Sequence, residues 1–244
     1  MNKTPLQKTI VALDNMSEVD LHHFLNRAKE VPMLKIGLEM FCSHGPDFIK
    51  KIHQDYQKEI FLDLKLHDIP NTVKKAIRAL KGLPLKFLTI HLSGGREMIN
   101  QAVAQAQESL PDTHLLGVSY LTSLAAEDMQ MIWGIQDPQL AFTKMFKLAL
   151  STKIPGLVLS AQELALLNTL EDQSTKSLIK VCPGIRFADE LKSATNNSHT
   201  QDQKRVATPQ SALANGADYL VIGRSLTQAQ DLAARISELQ IPPI

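Results

Sequence analysis

Short runs of apolar, β-forming residues recur along the chain, and each is followed by a stretch whose apolar positions return at helical intervals. The runs are Thr9–Leu13, Met33–Gly37, Ile60–Leu64, Phe87–His91, Leu115–Ser119, Gly156–Leu159, Leu178–Cys182 and Tyr219–Ile222, which makes eight candidate strands. Between them, Leu21, Phe24, Leu25 and Ala28 fall at i, i+3, i+4 and i+7 behind Ser17, a candidate N-cap. Val73, Ala76, Ile77 and Leu80 repeat the spacing, as do Leu232, Ala233, Ile236 and Leu239. Near-continuous apolar strands alternating with one-faced helices imply a parallel sheet covered by helices. Eight such units predict an α/β fold closed into a (β/α)8 TIM barrel, with an open doubly wound sheet as the main alternative. No linker or low-complexity tract divides the chain, so residues 1–244 read as one domain.

A barrel carries its chemistry at the C-terminal ends of its strands, often with phosphate bound after strands seven and eight. Those positions are Asp14 after the first run, Lys35 in the second, Asp63 and Lys65 at the third and His91 at the fourth. Thr122 follows the fifth, Arg186 the seventh and Gly223-Arg224 the eighth. A barrel that served only as scaffold would have no need of these polar residues at one rim.

The most informative stretch is Asp63-Leu64-Lys65-Leu66-His67-Asp68-Ile69-Pro70-Asn71-Thr72. Strand alternation sends Asp63 and Lys65 to one face and Leu62 and Leu64 to the other, toward the helices. With Asp14, Lys35 and Asp68 they form a predicted network of two lysines and three aspartates. Desolvating so many ions costs several kcal/mol each unless geometry is very good, so function is the better reason to keep them. Flanking aspartates favour the protonated form of Lys65, which suits a proton donor, and would repel a second carboxylate beside them. Nothing resembles a metal-ligand set, and His67 and His91 read as separate local histidines.

A phosphate end is legible in Pro183-Gly184-Ile185-Arg186 and in Gly223-Arg224, which opens the Ser225–Glu238 region. Glycine permits close backbone approach, a helix start offers free N–H groups, and a guanidinium binds phosphate through two donors. The polar segment from Phe187 to Gln201 lacks a helical period near its centre and is long for a loop of this kind, which makes it a candidate lid.

Composition narrows the field. At 244 residues the chain has the usual length of such a barrel, about 250. Lys and Arg total 26 against 25 Asp and Glu, so no overall field recruits nucleic acid or an anionic membrane, and any phosphate needs a local cluster. Cys42 and Cys182, outside any CxxC pattern, read as buried or semi-buried thiols of a reducing compartment. Met1–Gln7 lacks the apolar core of a signal peptide, and no apolar run nears the roughly 18 residues of a membrane span. A cytoplasmic location is expected.

The stretch from Asp63 to Thr72 closely resembles the D-x-K-x-x-D-I-P-N-T signature of the orotidine 5′-phosphate decarboxylase family. Ala12-Leu13-Asp14, Lys35-Ile36-Gly37, Pro183-Gly184-Ile185-Arg186, Asp202-Gln203 and Val221-Ile222-Gly223-Arg224 join it in the family's order, so the resemblance spans the chain. It implies a cofactor-free enzyme, with no metal, that converts orotidine 5′-phosphate to uridine 5′-phosphate. On that resemblance Lys65 protonates C6 of the pyrimidine, Asp63 sits against the departing carboxylate, and Lys35 holds the charge network and contacts the ribose. Asp14 binds ribose hydroxyls, Thr122 contacts the pyrimidine, and Gln203 and Arg224, helped by the Gly223 amide, bind phosphate. Arg186 matches a substrate-site arginine. Asp68, Ile69 and Thr72 reach into a neighbouring subunit's site, so a homodimer is implied. The centre of the Phe187–Gln201 segment departs from the family's pattern.

Two other readings stand beside this one. A magnesium-dependent sugar-phosphate decarboxylase or synthase of the same barrel group shares the Asp-x-Lys-x-x-Asp core, but Ile69-Pro70-Asn71-Thr72 and Asp202-Gln203 argue against it. A non-catalytic nucleotide-phosphate binding barrel would have no use for intact Asp63, Lys65 and Asp68.

Overall fold

All eight apolar runs become strands: β1 (Thr9–Ala12), β2 (Met33–Gly37), β3 (Glu59–Leu66), β4 (Leu85–His91), β5 (His114–Val118), β6 (Gly156–Val158), β7 (Ile179–Cys182) and β8 (Tyr219–Ile222). They come from a computed structural model that describes residues 3–121, 123–170, 173–194 and 206–242. Every neighbouring pair is parallel, and β1 pairs with both β2 and β8, with Val11 opposite Leu34 on one side and Ile222 on the other. The sheet therefore closes into a barrel in strand order, and the open-sheet alternative falls.

Closure explains why the strands are apolar along their length: both faces are buried. Ile10, Met33, Phe61, Phe87, Leu116 and Val181 fill the interior, where Phe87 packs edge-on against Phe61 and Tyr219 with ring centroids 5.9 and 5.1 Å apart. Val11, Leu34, Leu62, Leu88 and Leu157 face outward against the helices. Truncating a fully buried aromatic such as Phe61 would cost about 3–5 kcal/mol.

The helices are α1 (Glu18–Arg27), α2 (Leu38–Tyr56), α3 (Pro70–Ala79), α4 (Gly95–Ser109), α5 (Ala126–Trp133), α6 (Pro138–Ser151), α7 (Ala161–Asn168), α8 (Ala188–Ala194), α9 (Pro209–Ala214), α10 (Arg224–Thr227) and α11 (Leu232–Gln240). Ser17 caps α1 as its position predicts, accepting from the Asp20 amide at 3.1 Å. α2 breaks at Gly45, which takes φ +71° just before Pro46. In α11 the buried face is Leu232, Ile236 and Leu239, while Ala233, predicted to share it, is exposed. Cys42 is also exposed and only Cys182 is buried, so the expectation of two shielded thiols holds for one. Among the described residues no helix is long and apolar enough to cross a membrane.

The segment after β7 differs from its predicted form. Its first part is helix α8, tied to α11 by Asp189, which accepts two hydrogen bonds of 2.8 Å from Arg235. The Arg235 guanidinium also lies 4.3 Å from the Phe187 ring centroid. Seven residues are too few for a helical period to stand out amid so polar a sequence. The remainder of the candidate lid, from 195 to 201, lies outside the described residues.

Candidate active site

Strand register places the charged side chains at one mouth of the barrel. Lys35 pairs across the sheet with Ala12 on β1 and Phe61 on β3, between the strands that carry its partners. Its Nζ lies 2.7 Å from Asp14 Oδ2 and 3.5 Å from Asp63 Oδ2. Lys65 Nζ donates to the same Asp63 oxygen at 2.8 Å. A continuous chain results, Asp14–Lys35–Asp63–Lys65, with alternating charge. Gly37 leaves room for it: a Cβ there would fall 2.3 Å from Asp14 Oδ1.

Burial alone would push the Asp63 carboxyl up. The Lys35 and Lys65 ammoniums, with hydrogen bonds from Lys65 and Thr89, outweigh it and hold Asp63 below the usual carboxylate range. Asp63 is therefore an anion at neutral pH despite a side chain only 12% exposed. Lys65 is more open, with its side chain 38% exposed toward the cavity it lines.

That cavity has a volume of about 330 Å³, enough for a small-molecule site. Asp14, Lys35, Asp63 and Lys65 line one side, and Arg186, Gly223 and Arg224 also border it. Gly184 adopts φ +77° ahead of Arg186, whose amide donates to the Ala207 carbonyl at 2.9 Å. Gly223 caps α10, a helix of only four residues, so the predicted Ser225–Glu238 region is divided between α10 and α11. Thr122 and Gln203, both predicted ligands, and Asp202 lie outside the described residues.

Asp68 does not join the network as the spacing predicts. It is exposed, does not line the cavity of its own chain, and accepts from the Ile69 amide at 2.6 Å. The chain leaves β3 at Leu66, and Pro70 opens α3, so the intervening turn carries Asp68 away from the rim. Ile69, 67% exposed, and Thr72, also exposed, share that turn and helix start. His67 and His91 likewise depart from expectation. Neighbouring strands bring their rings to 5.1 Å, and the Ser93 hydroxyl bridges them at 3.3 Å from His67 Nε2 and 2.6 Å from His91 Nδ1. Burial, helped by His67 and Lys65, pushes His91 down to about 4, so the ring is neutral.

Several cavity residues were missed from sequence. Tyr120 follows β5, and Ser160, almost fully buried, follows β6. Ser160 opens α7 with a capping box: its amide donates to Glu163 Oε2 at 3.1 Å, and the Glu163 amide donates to its hydroxyl at 3.4 Å. The Ser-x-x-Glu spacing after an apolar run was the available signal. Nearby, burial and the Glu163 carboxylate push the Cys182 thiol up to about 12, which removes it as a nucleophile.

Asp14 and Asp63 both face ammoniums, and among the described residues no three His, Cys, Asp or Glu side chains cluster as a metal-binding set. Fold and site together define a closed (β/α)8 barrel with paired ammoniums and carboxylates lining a cavity at the strand ends. The chain belongs to the orotidine 5′-phosphate decarboxylase / HUMPS family, which it matches over residues 7–239. It is 41% identical over 233 residues to an orotidine 5′-phosphate decarboxylase of Thermosynechococcus vestitus, covering 95% of this chain and 94% of that one. It is 38% identical over 231 residues to the Opitutus terrae protein of the same name, covering 94% and 95%. A crystal structure of orotidine 5′-phosphate decarboxylase from Lactobacillus acidophilus superposes with TM-score 0.77 at 31% identity, covering 96% of this chain and 97% of that one.

Proposed function

We propose that this chain decarboxylates orotidine 5′-phosphate to uridine 5′-phosphate, a step of pyrimidine biosynthesis, in a cytoplasmic homodimer. The observation that carries the reading is Asp63 Oδ2 held between two ammoniums, 2.8 Å from Lys65 and 3.5 Å from Lys35, on the wall of a cavity of substrate size. Shared family membership leaves the sugar-phosphate enzymes in view, and the named relatives favour the nucleotide.

In the proposed reaction the bond between C6 and the carboxylate breaks, carbon dioxide leaves, and the electron pair stays on C6. Lys65 then delivers a proton from Nζ to that carbon and recovers one from solvent. Asp63, an anion, faces the substrate carboxylate and disfavours it relative to neutral carbon dioxide. Its fixed partners mean that little has to reorganise as charge moves from carboxylate to C6. Lys35 and Asp14 take the ribose hydroxyls, and Thr122 contacts the pyrimidine. Gln203, Gly223 and Arg224 take the phosphate, with Arg186 also at the substrate. Asp68, Ile69 and Thr72 serve the partner subunit's site, and the exposed, apolar Ile69 suits a residue that is covered on dimerisation.

The test is loss of orotidine 5′-phosphate absorbance with the purified protein, with and without saturating chelator. Turnover unaffected by chelator is expected. Activity lost to chelator and restored by magnesium would favour the sugar-phosphate reading, and binding without turnover would leave a nucleotide-binding barrel.

A further inference from the structure

Thr89 sits in β4 between the apolar residues Leu88 and Ile90, and it is completely buried. Its surroundings are unusual. Leu62 pairs with Leu88 and Leu66 pairs with Ile90, so four steps along β3 match two along β4. Asp63, Leu64 and Lys65 thus stand opposite Thr89 alone. Bulges of this kind cluster beside active sites because they re-aim side chains. Lys65 takes φ +49°, a left-handed conformation that disfavours a lysine unless its surroundings impose it.

Thr89 supplies such a constraint. Its Oγ accepts from the Lys65 amide at 2.8 Å and donates to Asp63 Oδ1 at 2.9 Å. One hydroxyl therefore holds both ends of the bulge. The backbone amide left without a ladder partner is satisfied, and the Asp63 carboxylate is pinned by Thr89 on one oxygen and by the lysines on the other. No solvent reaches Thr89 to replace the hydroxyl.

We infer that Thr89 is a positioning residue for the reaction: it sets the Lys65 backbone and the Asp63 carboxylate in the one arrangement that aims the Lys65 ammonium at the reacting carbon. The inference rests on the decarboxylase reading. It predicts a cost in the chemical step more than in binding, since Thr89 bonds to Lys65 and Asp63 and not to the residues assigned to phosphate and ribose. Misplacing a reacting group by about 1 Å lowers rate on the order of 100-fold.

The experiment compares Thr89→Val, which keeps the shape and removes the hydroxyl, with Thr89→Ser, which keeps the hydroxyl. Thr89→Val is expected to lose about 100-fold in kcat while KM and calorimetric binding of uridine 5′-phosphate change by less than about threefold, and Thr89→Ser to recover most of the rate. If Thr89→Val does not fold, Thr89→Cys against Thr89→Ser decides, because the two lose the same methyl and differ in hydrogen-bond strength. There the cysteine variant is expected to be at least about 10-fold slower in kcat. A folded Thr89→Val with kcat within twofold of wild type, a serine variant as slow as the valine or cysteine one, or a loss confined to KM would overturn the inference. Wild-type protein that fails to decarboxylate orotidine 5′-phosphate would overturn the reading of function instead. Crystal structures of wild type and Thr89→Val would still decide Thr89, because an unchanged Lys65 backbone and Lys65–Asp63 contact in the variant would count against it.

Discussion

Replacing Lys35 by methionine keeps an unbranched side chain of similar length and deletes the charge that links Asp14 to Asp63. Asp63 is then left in a nearly dry site with Lys65 as its only charged partner among the described residues. Unit charges 3.5 Å apart attract by about 5 kcal/mol at an effective dielectric near 20. Breaking buried pairs costs about 3–5 kcal/mol by experience. The Asp14 contact adds little, because that side chain is 37% exposed and the freed carboxylate can be hydrated. At about 2–4 °C per kcal/mol for a chain of this size, Tm should fall by roughly 6–20 °C at neutral pH. The pH dependence has a definite sign. In the wild type Asp63 is held below the usual carboxylate range, so its contribution is present at neutral pH and is lost only as pH falls through that depressed value. Without Lys35 the upward push of burial meets less opposition, and the carboxyl protonates at a higher pH. The acid limb of the kcat/KM profile should therefore move to higher pH, and the loss of Tm should shrink as the solution is acidified. The assays are substrate absorbance from pH 4 to 9 and calorimetric melting over the same range. A Lys35→Met enzyme with wild-type kcat/KM and an unmoved acid limb would refute the view that Lys35 sustains the ionised Asp63.

Two further outcomes follow from the site. Arg224→Ala should lower kcat as well as raise KM, with kcat/KM down by about 100-fold or more, because remote phosphate binding also organises the reacting end; a change in KM alone would reduce Arg224 to uniform binding. Lys65→Ala and Asp68→Asn homodimers should each be nearly inactive, and unfolding and refolding them together should restore about a quarter of all sites by random pairing. Mixed dimers that form yet stay dead would place Asp68 in its own subunit's chemistry.

Legibility in the sequence tracked how local each feature is. The strands could be read because burial on both faces leaves long apolar runs, and no partner is needed to see Phe61-Leu62 or Leu220-Val221-Ile222 as strand. Asp14, Lys35, Asp63 and Lys65 could be read because a charge at the end of such a run stands out against its neighbours. Ser160 and Glu163 were equally local and were overlooked, since a serine after β6 looks like an ordinary helix cap, which it also is. The His67–Ser93–His91 cluster was invisible for a different reason: it needs β3 and β4 side by side.

The β3–β4 bulge shows where pattern reasoning meets its limit. Alternation along Leu62-Asp63-Leu64-Lys65-Leu66 predicts Asp63 and Lys65 on one face, and both do reach the cavity. Yet the regular strand that would make alternation a sufficient reason is absent, since Lys65 is left-handed and the ladder slips by two residues. The apolar leucines still find the helices, because burying Leu62, Leu64 and Leu66 outside the barrel stabilises any backbone path that allows it. Hydrophobic pattern therefore settles which side chains face inward, while register against β4 settles where they point. That second quantity depends on Thr89, which reads in isolation as a common strand former. A charged pair at a strand end can thus be found from one segment, but the geometry that makes it reactive is written on the neighbouring strand.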